Sequence, residues 1–381
     1  MLRIAINAVG AKKIAGGGFQ ISLNFVKTAL SDRHHNIDLY FFLSKDLADT
    51  LNVHESDHIF IFPTQPDFFN SWLGTQRALH KLEKDLKLDI IYSIIAPSYF
   101  SFDTQEVMRC TNAWAVQPNK YALAQLSRIQ LLRNWLQYSL IRKLMRKCAY
   151  FITQTDSIAI STAKVARVPL ENVCVVSNVL PAAFNEYNRI KNLDREWYDI
   201  VSVAAPFPHK DLEIIPYVLK EIRDNHNIPN IRMHVTLPSD SPITKRIEKN
   251  ISAFGLTENF VNHGRVNQQQ LASIYCSCRM MFMPTLLETF SASLLEAMFF
   301  DLSIVTSDLS FNSDITKDAA LYFRPHDYVD AAIKIAELIN NEAKASALIE
   351  KYKEILPNYC NYQKHYDSTI DFLVKVASIK K

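Results

Sequence analysis

Two glutamates spaced eight residues apart are the richest chemical feature of this chain of 381 residues. Glu288 and Glu296 follow a predicted strand and bracket the start of a predicted helix, and eight helical positions span about 12 Å. The free N–H groups and the positive dipole end of a helix N-terminus attract phosphate. One acid on each side of such a site can hold hydroxyl groups on both flanks of a diphosphate. A nucleoside-diphosphate sugar has this layout.

Simpler interpretations exist for each acid. Ser293-Leu294-Leu295-Glu296 also matches a capping box, in which Glu296 would only satisfy a backbone N–H. Glu288, just ahead of the helix, also suits a surface position that complements the helix dipole. The spacing alone leaves these alternatives open.

A lysine follows the first predicted strand of the second half of the chain, in Pro208-His209-Lys210. Cleavage of a sugar–phosphate bond develops negative charge on the departing diphosphate, and a preorganised cation stabilises that charge most in the transition state. Lys210 is therefore a candidate for this role. The alternative is an exposed lysine at the start of a helix.

Glycine use indicates a further candidate site. Only 7 of the 381 residues are Gly, and three of them are adjacent, at Gly16, Gly17 and Gly18. They lie between the first predicted strand and a helix, where backbone without Cβ atoms can approach a ligand closely. A merely flexible turn is the alternative.

Short apolar runs alternate with longer helical patterns along the whole chain, which predicts an α/β fold with doubly wound parallel sheets. The pattern breaks into a polar, charged stretch at 186–197, where we place a linker. We expect two Rossmann-like domains facing across a cleft, at 1–185 and 198–357. Residues 358–381 are predicted to contain a C-terminal helix that returns to the N-terminal domain.

Composition excludes several classes of protein. Hydrophobic residues make up 48% and charged residues 21%, as in ordinary globular proteins and unlike disordered, collagenous or coiled-coil chains. The 6 cysteines are scattered, which indicates neither a disulfide framework nor a zinc site and suits a reducing cytoplasm. The apolar runs fall short of the roughly 18 residues of a membrane span. We find no D-x-D motif for a metal-held diphosphate and no P-loop motif.

Taken together, these motifs resemble family 4 (group 1) glycosyltransferases of the GT-B fold, over nearly the whole chain. Glu288 and Glu296 are similar to the E-x7-E motif of that family. Five further stretches resemble its elements in the right order: Gly16–Gly18, Val175–Asn178, Pro206–Leu212, Val261–Val266, and the pair Ile304–Asp308 with Asp318–Pro325. The resemblance implies a retaining, metal-independent enzyme without a cofactor, for which a nucleotide sugar is the co-substrate.

The resemblance also implies roles for individual residues. Glu288 would hold the hydroxyls of the donor sugar, Glu296 the ribose and Lys210 the diphosphate. The N-terminal domain would bind the acceptor near Gly17, and the C-terminal domain would bind the nucleotide sugar. The remaining donor-binding candidates are Gly264, Arg265, Val266, Thr289, Phe290 and Ser291.

The sequence departs from the family pattern at several positions. Ala205 stands where many members have an arginine, and Thr289 and Ser291 replace the usual glycines beside the first glutamate. The stretch Thr111–Pro118 lacks the histidine that many members place near the reacting carbon. Asn112 and Gln117 remain there as candidates for contact with the donor sugar.

Charge is distributed unevenly. The net charge is +3, yet residues 107–155 hold eight Lys or Arg and no acid. One interpretation is a core-packing helix with a solvated basic face. Another is contact with an anionic membrane surface or a lipid-diphosphate acceptor. Nucleic-acid binding is disfavoured, because no recognition motif accompanies the charge.

The sequence thus predicts a glycosyltransferase that moves a sugar from a nucleoside-diphosphate sugar to a glycan or lipid-linked acceptor. Such enzymes build surface polysaccharide of the O-antigen or capsule type, so we expect a cytoplasmic protein at the inner face of the membrane. The alternatives are a GT-B nucleotide-sugar epimerase or hydrolase, and a non-catalytic sugar-binding relative.

Overall fold

The computed structural model of the chain describes residues 1–13, 17–31, 36–63, 70–95, 97, 99–180, 184, 187, 189–194, 196–359 and 361–379. The chain divides into two compact units. The first unit comprises Met1–Gln117, Asn134–Asn178 and Tyr362–Lys381, and the second comprises Pro118–Arg133 and Val179–Asn361. Residues 118–133, which the sequence analysis placed in the N-terminal domain, thus cluster with the second unit.

A seven-stranded parallel sheet forms the centre of the first unit, in the order β3-β2-β1-β4-β5-β6-β7. Its strands are β1 (Leu2–Ala8), β2 (Ile37–Ser44), β3 (Ile59–Phe62), β4 (Ile90–Ser93), β5 (Glu106–Arg109), β6 (Tyr150–Thr153) and β7 (Val173–Val175). The helices of this half of the chain are α1 (Gly17–Ser31), α2 (Lys45–Leu51), α3 (Asn70–Asp85), α4 (Ala113–Val116), α5 (Lys120–Ala124), α6 (Arg128–Met145) and α7 (Asp156–Ala166).

The second unit is built on a six-stranded parallel sheet in the order β10-β9-β8-β11-β12-β13. Its strands are β8 (Tyr198–Ser202), β9 (Ile231–Val235), β10 (Phe260–Asn262), β11 (Met280–Met283), β12 (Ser303–Ser307) and β13 (Leu321–Phe323). The helices of this half are α8 (Ile215–Asn225), α9 (Pro242–Ala253), α10 (Gln268–Ser277), α11 (Ala292–Phe299), α12 (Ser310–Thr316), α13 (Tyr328–Asn340), α14 (Glu342–Glu350) and α15 (Tyr352–Ile355), followed by α16 (Tyr362–Ile379).

In both units the core forms where apolar strands pack against the helices that cover them. In the first, Ile4, Ile6 and Ile90 are fully buried and pack in one core with residues of α1 and α16. In the second, Met280 and Phe282 share a core with residues of α8, α9 and α13. The predicted α/β class and the two parallel, doubly wound sheets are confirmed. In the described part of the chain, no helix combines the length and apolar character of a membrane span.

In each sheet the direction in which successive strands are added changes between two neighbouring strands. This strand reversal lies between β1 and β4 in the first unit and between β8 and β11 in the second. Loops that follow the strands on either side of such a reversal leave in opposite directions and open a crevice at the carboxyl edge. Open α/β sheets bind their ligands at this point. The loops after these four strands are therefore where the fold favours a site.

Candidate active site

Two predicted site residues lie in the loops at the strand reversal of the second unit. Lys210 ends a 3-10 turn, Pro208–Lys210, in the connection that follows β8, and Glu288 lies in the connection between β11 and α11. The strands β8 and β11 are neighbours, paired at Met280–Ile200 and Met281–Val201. The fold thus brings together two residues that are 78 positions apart in the chain.

Lys210 and Glu288 form an ion pair between Nζ and Oε1. Both side chains are largely buried, with 12% of the lysine and 20% of the glutamate exposed. The second carboxylate oxygen, Glu288 Oε2, is buried without a hydrogen-bond partner. A buried carboxylate oxygen that lacks a donor is costly to keep, and a ligand hydroxyl would supply the missing bond.

Backbone contacts hold the two loops together. Leu286 N donates to His209 O at 2.8 Å, and Asn119 Nδ2 donates to Leu286 O at 2.7 Å. Asn119 also begins α5, where its side chain accepts from two backbone N–H groups of the first turn. This contact joins residues 118–133 to the rest of the second unit.

His209 adds no charge to this loop near neutral pH. Burial, together with the neighbouring Lys210 charge, lowers the pKa of His209 to about 4. Its ring stacks on Phe207 with 5.6 Å between centroids. The positive charge of the loop therefore lies on Lys210.

Glu296 lies on α11, and its carboxylate faces α10. Oε2 of Glu296 accepts a hydrogen bond of 2.7 Å from the hydroxyl of Tyr275, which is fully buried. Burial raises the pKa of the Glu296 carboxyl, and the Tyr275 hydrogen bond opposes part of that shift. The same burial and the nearby carboxylate raise the pKa of Tyr275 well above its usual value, so the hydroxyl remains the donor.

The capping-box interpretation of Ser293 and Glu296 is wrong. The helix begins at Ala292 with Ser291 at the N-cap, and no side chain caps it. Ser293 Oγ instead donates to Val203 O at 3.3 Å, and Ser291 Oγ donates to Met283 Sδ at 2.9 Å. Among the described residues, no side chain therefore caps the N–H groups of the first turn of α11.

The turn after β10 is set by Asn262. Its Oδ1 accepts from Gly264 N at 3.1 Å and from Leu237 N at 3.0 Å. Gly264 has φ +68°, and nothing lies within 4 Å of where its Cβ would be, so the left-handed backbone is what requires a glycine. Arg265 is exposed and Val266 packs at the edge of the core.

The remaining donor-loop candidates differ in exposure. Phe290 is buried, with its ring 5.9 Å from that of Tyr359, and Ser291 is also buried. Thr289 is partly exposed. Phe290 and Ser291 thus pack inside the protein beneath the loop, and Thr289 is in contact with solvent.

The first unit holds the other predicted residues. Gly17 and Gly18 begin α1, and Gly16 lies outside the described residues. Space is open around Gly17, and a Cβ on Gly18 would meet only Ile95, after β4, at 3.9 Å. The two glycines therefore lie at the strand reversal of this sheet.

Asn112 and Gln117 lie at the two ends of α4. Asn112 is its N-cap, with the side-chain oxygen accepting from Ala115 N at 3.2 Å, and Gln117 is its C-cap. Asn112 thus has a local structural role.

The helix α6 dominates the basic segment, and few of its apolar side chains are buried. Only Ile141 and Met145 of this helix are buried. The exposed fraction of five large apolar side chains runs from 56% to 82%. These are Ile129, Leu132, Trp135, Leu136 and Leu140. The core-packing interpretation of α6 is therefore wrong for most of its apolar residues.

Three of the basic residues in this segment donate to backbone, among them Arg109, whose Nη2 donates to Val176 O at 3.4 Å. Arg142 Nε donates to Ala115 O at 2.8 Å, and Arg146 Nε donates to Val165 O at 3.2 Å. Arg133, Lys143 and Lys147 are exposed.

Three features of the site were not predicted from sequence. They are Tyr275 as the partner of Glu296, Asn119 as the tie between loops, and a contact between Asp211 and His326 beside Lys210. Each joins residues far apart in the chain, and none has a local sequence signal.

Comparison with known proteins gives one family match and several similar structures. Residues 184–355 match the family described as glycosyl transferases group 1. The chain is 20% identical over 230 residues to the O-antigen chain mannosyltransferase RfbU of Salmonella typhimurium, covering 60% of this chain and 58% of that protein. The match therefore spans less than two thirds of the curated relative.

Solved structures resemble the chain over nearly its full length. Sucrose-phosphate synthase of Thermosynechococcus elongatus gives a TM-score of 0.74 at 14% identity, covering 100% of both chains. HepE of Anabaena, in complex with UDP and glucose, gives 0.70 at 12% identity, covering 98% of this chain and 100% of that one. WaaG, a glycosyltransferase involved in lipopolysaccharide biosynthesis, gives a TM-score of 0.68 at 13% identity, covering 96% of this chain and 99% of that one.

These structures show that the chain has the GT-B fold of glycosyltransferases. Within that fold, residues 184–355, less than half of the chain, match the group 1 glycosyltransferases.

Proposed function

We propose that this protein is a retaining, metal-independent glycosyltransferase. It moves a sugar from a nucleoside-diphosphate sugar to a glycan or lipid-linked acceptor in surface polysaccharide biosynthesis. The observation that carries the proposal is the Lys210–Glu288 pair at the strand reversal, with one buried carboxylate oxygen left for a ligand. The O-antigen mannosyltransferase and the UDP-bound HepE among the similar proteins support the class of reaction.

In this proposal the bond between the anomeric carbon and the diphosphate oxygen breaks, and its electron pair leaves with the diphosphate. Lys210 and the uncapped N–H groups of α11 stabilise that charge. The acceptor hydroxyl oxygen bonds to the anomeric carbon, and its proton passes to the departing diphosphate oxygen. Glu288 Oε2 accepts from a sugar hydroxyl, an interaction that strengthens as the sugar becomes cationic.

Glu296 would hold the ribose on the other side of the helix start. Tyr275 occupies only Oε2, so Oε1 has no partner among the described residues and can accept from a ribose hydroxyl. The hydrogen bond from Tyr275 fixes the orientation of the carboxylate before the nucleotide arrives. Preorganised acceptors of this kind cost little rearrangement on binding.

The acceptor side of the proposal rests on α6. Its exposed apolar residues recur at spacings of three and four, which places them along one face of the helix. Exposed basic residues accompany them, and residues 107–155 hold no acid to repel an anionic surface. Apolar contact plus basic charge is the chemistry of a helix that lies in an anionic membrane surface. Such a surface would hold a lipid-linked acceptor.

A ligand panel tests the proposal most directly. Nucleoside diphosphates and nucleotide sugars are added to the wild type and to Lys210→Ala, and the unfolding free energy is measured. A ligand at about 100 times its dissociation constant adds about 2.7 kcal/mol. Stabilisation of the wild type by at least one ligand, reduced in Lys210→Ala, is expected. No stabilisation by any ligand would contradict the proposal.

Two further measurements address the chemistry. The product anomer, read by NMR from turnover with the donor that the panel identifies, should keep the configuration of the donor. Turnover should persist in EDTA. Inversion at the anomeric carbon, or activity lost in EDTA and restored by magnesium or manganese, would contradict these two parts of the proposal.

A further inference from the structure

A second buried acid follows Lys210 directly. The carboxylate of Asp211 lies against the ring of His326, whose Nδ1 is 2.8 Å from Oδ1 and 3.0 Å from Oδ2. Only 2% of the Asp211 side chain is exposed, against 53% of His326. His326 lies in the loop between β13 and α13. The contact therefore connects the lysine loop to a segment 115 residues further along the chain.

Both residues of this pair have left-handed backbone. Asp211 has φ +53° and His326 has φ +64°. Residues other than glycine rarely adopt this conformation, and they keep it only where surrounding contacts determine it. Each of the two side chains supplies such a contact for the other. The hydrogen bond between the two side chains thus stabilises the left-handed backbone at Asp211 and at His326.

The backbone at Asp211 is continuous with the turn that carries Lys210. Lys210 N donates to Phe207 O at 2.9 Å, and Asp211 N donates to Pro208 O at 3.2 Å. A change of φ at Asp211 would break the second of these bonds and redirect the lysine. Within the described residues, the ion pairs of Asp211 and Lys210 are separate, because Lys210 Nζ faces Glu288.

Electrostatics favour an intact pair. Burial raises the pKa of Asp211, with the hydrogen bond from His326 opposing the shift, and Asp211 in turn raises the pKa of His326. Glu213 is a further charge that raises the pKa of Asp211. Without His326, the Asp211 carboxylate would be a buried charge without its partner, which a structure relieves by protonation or by moving the loop.

We propose that His326 is a positioning residue for the donor diphosphate. Through its hydrogen bond to Asp211 it fixes the turn Pro208–Lys210 and so the direction of the Lys210 ammonium. This inference rests on the proposed function, in which Lys210 contacts the diphosphate.

Three variants separate positioning from general stability. His326→Ala removes the donor. His326→Asn keeps a donor nitrogen close to the place of Nδ1, and asparagine accepts left-handed backbone well. His58→Ala is the matched control, because His58 is also 53% exposed and pairs with an aspartate, Asp38, at 2.9 Å in the first unit.

Calorimetric titration measures the affinity of each variant for the tightest-binding of UDP, GDP, dTDP and ADP. We expect His326→Ala to bind about tenfold more weakly, and His326→Asn and His58→Ala to bind like the wild type. In a Lys210→Ala background, His326→Ala should cause no further loss, because the histidine acts through the lysine. Titrations run well below each melting temperature.

Wild-type affinity in His326→Ala would overturn this inference and leave the proposed function standing. An equal tenfold loss in the Lys210→Ala background would also overturn it, because the histidine would then act by another route. A loss in His326→Asn as large as in His326→Ala would overturn it as well. If the wild type binds none of the four diphosphates, the proposed function fails, and this inference fails with it.

Discussion

The hydroxyl of Tyr275 donates to the carboxylate of Glu296 across two helices, α10 and α11, at 2.7 Å. Burial raises the pKa of this carboxyl, so the folded protein ionises it less readily than the unfolded chain does. An acid kept at such a position at a cost in stability is typical of a functional site. Helix capping therefore does not explain why a carboxylate lies at this buried position beside Tyr275.

The stability of Glu296→Gln tests this argument. A raised pKa means that the folded state holds its proton more tightly, so the unfolding free energy of the wild type falls as pH rises above the ordinary value of 4.5. Glutamine can accept the Tyr275 hydrogen bond and does not ionise. Glu296→Gln should therefore melt above the wild type at pH 7, and the difference should shrink towards pH 4.

The same variant should lose nucleotide affinity. A hydrogen bond to a charged group contributes about 1.5–3 kcal/mol, so binding of the free nucleoside diphosphate should weaken about tenfold or more. Tyr275→Phe keeps the carboxylate and removes only the hydroxyl that orients it, so it should weaken diphosphate binding less than Glu296→Gln does. If Glu296→Gln melts below the wild type and binds the diphosphate equally well, Glu296 is structural and does not hold the ribose.

Glu288 is predicted to affect a different step. Glu288→Ala removes the partner of Lys210 and the free Oε2, so the lysine becomes more available to a diphosphate. Affinity for the free nucleoside diphosphate should remain within about twofold of the wild type or increase. Turnover should fall about a hundredfold, on the order of 3 kcal/mol, because the contact acts on the sugar in the transition state. Steady-state kinetics beside calorimetric titration check both. A loss of diphosphate affinity without loss of turnover would contradict the assignment.

The fold was predictable from sequence because its signal is local. Runs such as Met280–Met283 are continuously apolar, as strands covered on both faces must be, and they match the observed strand. β5 carries no such signal, because Glu106 and Arg109 bracket only two apolar residues. Arg109 is nevertheless fully buried, with its Nη2 donating to Asn178 Oδ1 at 2.6 Å. Periodicity does not reveal a contact of that kind.

The site was predictable only in part. The spacing of Glu288 and Glu296 and the position of Lys210 are sequence features, and the ion pair follows from where the two strands lie in the sheet. Tyr275, Asn119 and His326 reach the site through tertiary contacts that no short motif records. The sequence left the interpretations of α6 open for a related reason, since amphipathic spacing shows that a helix has an apolar face but not what covers it.

Acid should destabilise the protein through buried histidines. Burial lowers the pKa of His365 to about 3, with the Arg109 charge contributing, as burial lowers that of His209 to about 4. At pH values below 6.5, the ordinary pKa of histidine, the unfolded chain therefore binds more protons than the folded state does. Stability should fall as pH drops from 6.5 to 4, on the order of 3 kcal/mol for each histidine.

Melting curves between pH 7 and pH 4 check this expectation. His365→Asn keeps a nitrogen that can donate to Ser177 O, the partner of His365 Nδ1 at 2.8 Å, and does not titrate. Its melting temperature should decline less steeply with acid than that of the wild type. His54→Asn changes an exposed histidine and should leave the slope unchanged. Equal slopes for the wild type and His365→Asn would refute the explanation.

The last prediction concerns α6 and the membrane. Replacing Trp135, Leu136 and Leu140 by serine removes exposed apolar surface without opening the core, because each is more than half exposed. This triple variant should bind phosphatidylglycerol vesicles more weakly at every salt concentration, since apolar contact is not screened. Lys143→Glu with Lys147→Glu should weaken binding about thirtyfold at low salt, at about 1 kcal/mol for each basic residue, and much less at high salt.

Arg142→Glu distinguishes surface charge from structural charge. Arg142 donates to the carbonyl oxygen of Ala115 at 2.8 Å, so its reversal should lower the melting temperature as well as vesicle binding. The Lys143 and Lys147 reversals should leave the melting temperature close to that of the wild type. Co-sedimentation with anionic and neutral vesicles, with melting curves for each variant, separates the two effects. Equal binding of the wild type to both kinds of vesicle would show that the basic residues serve solubility. Unchanged binding of the triple serine variant would show that the apolar face binds another partner.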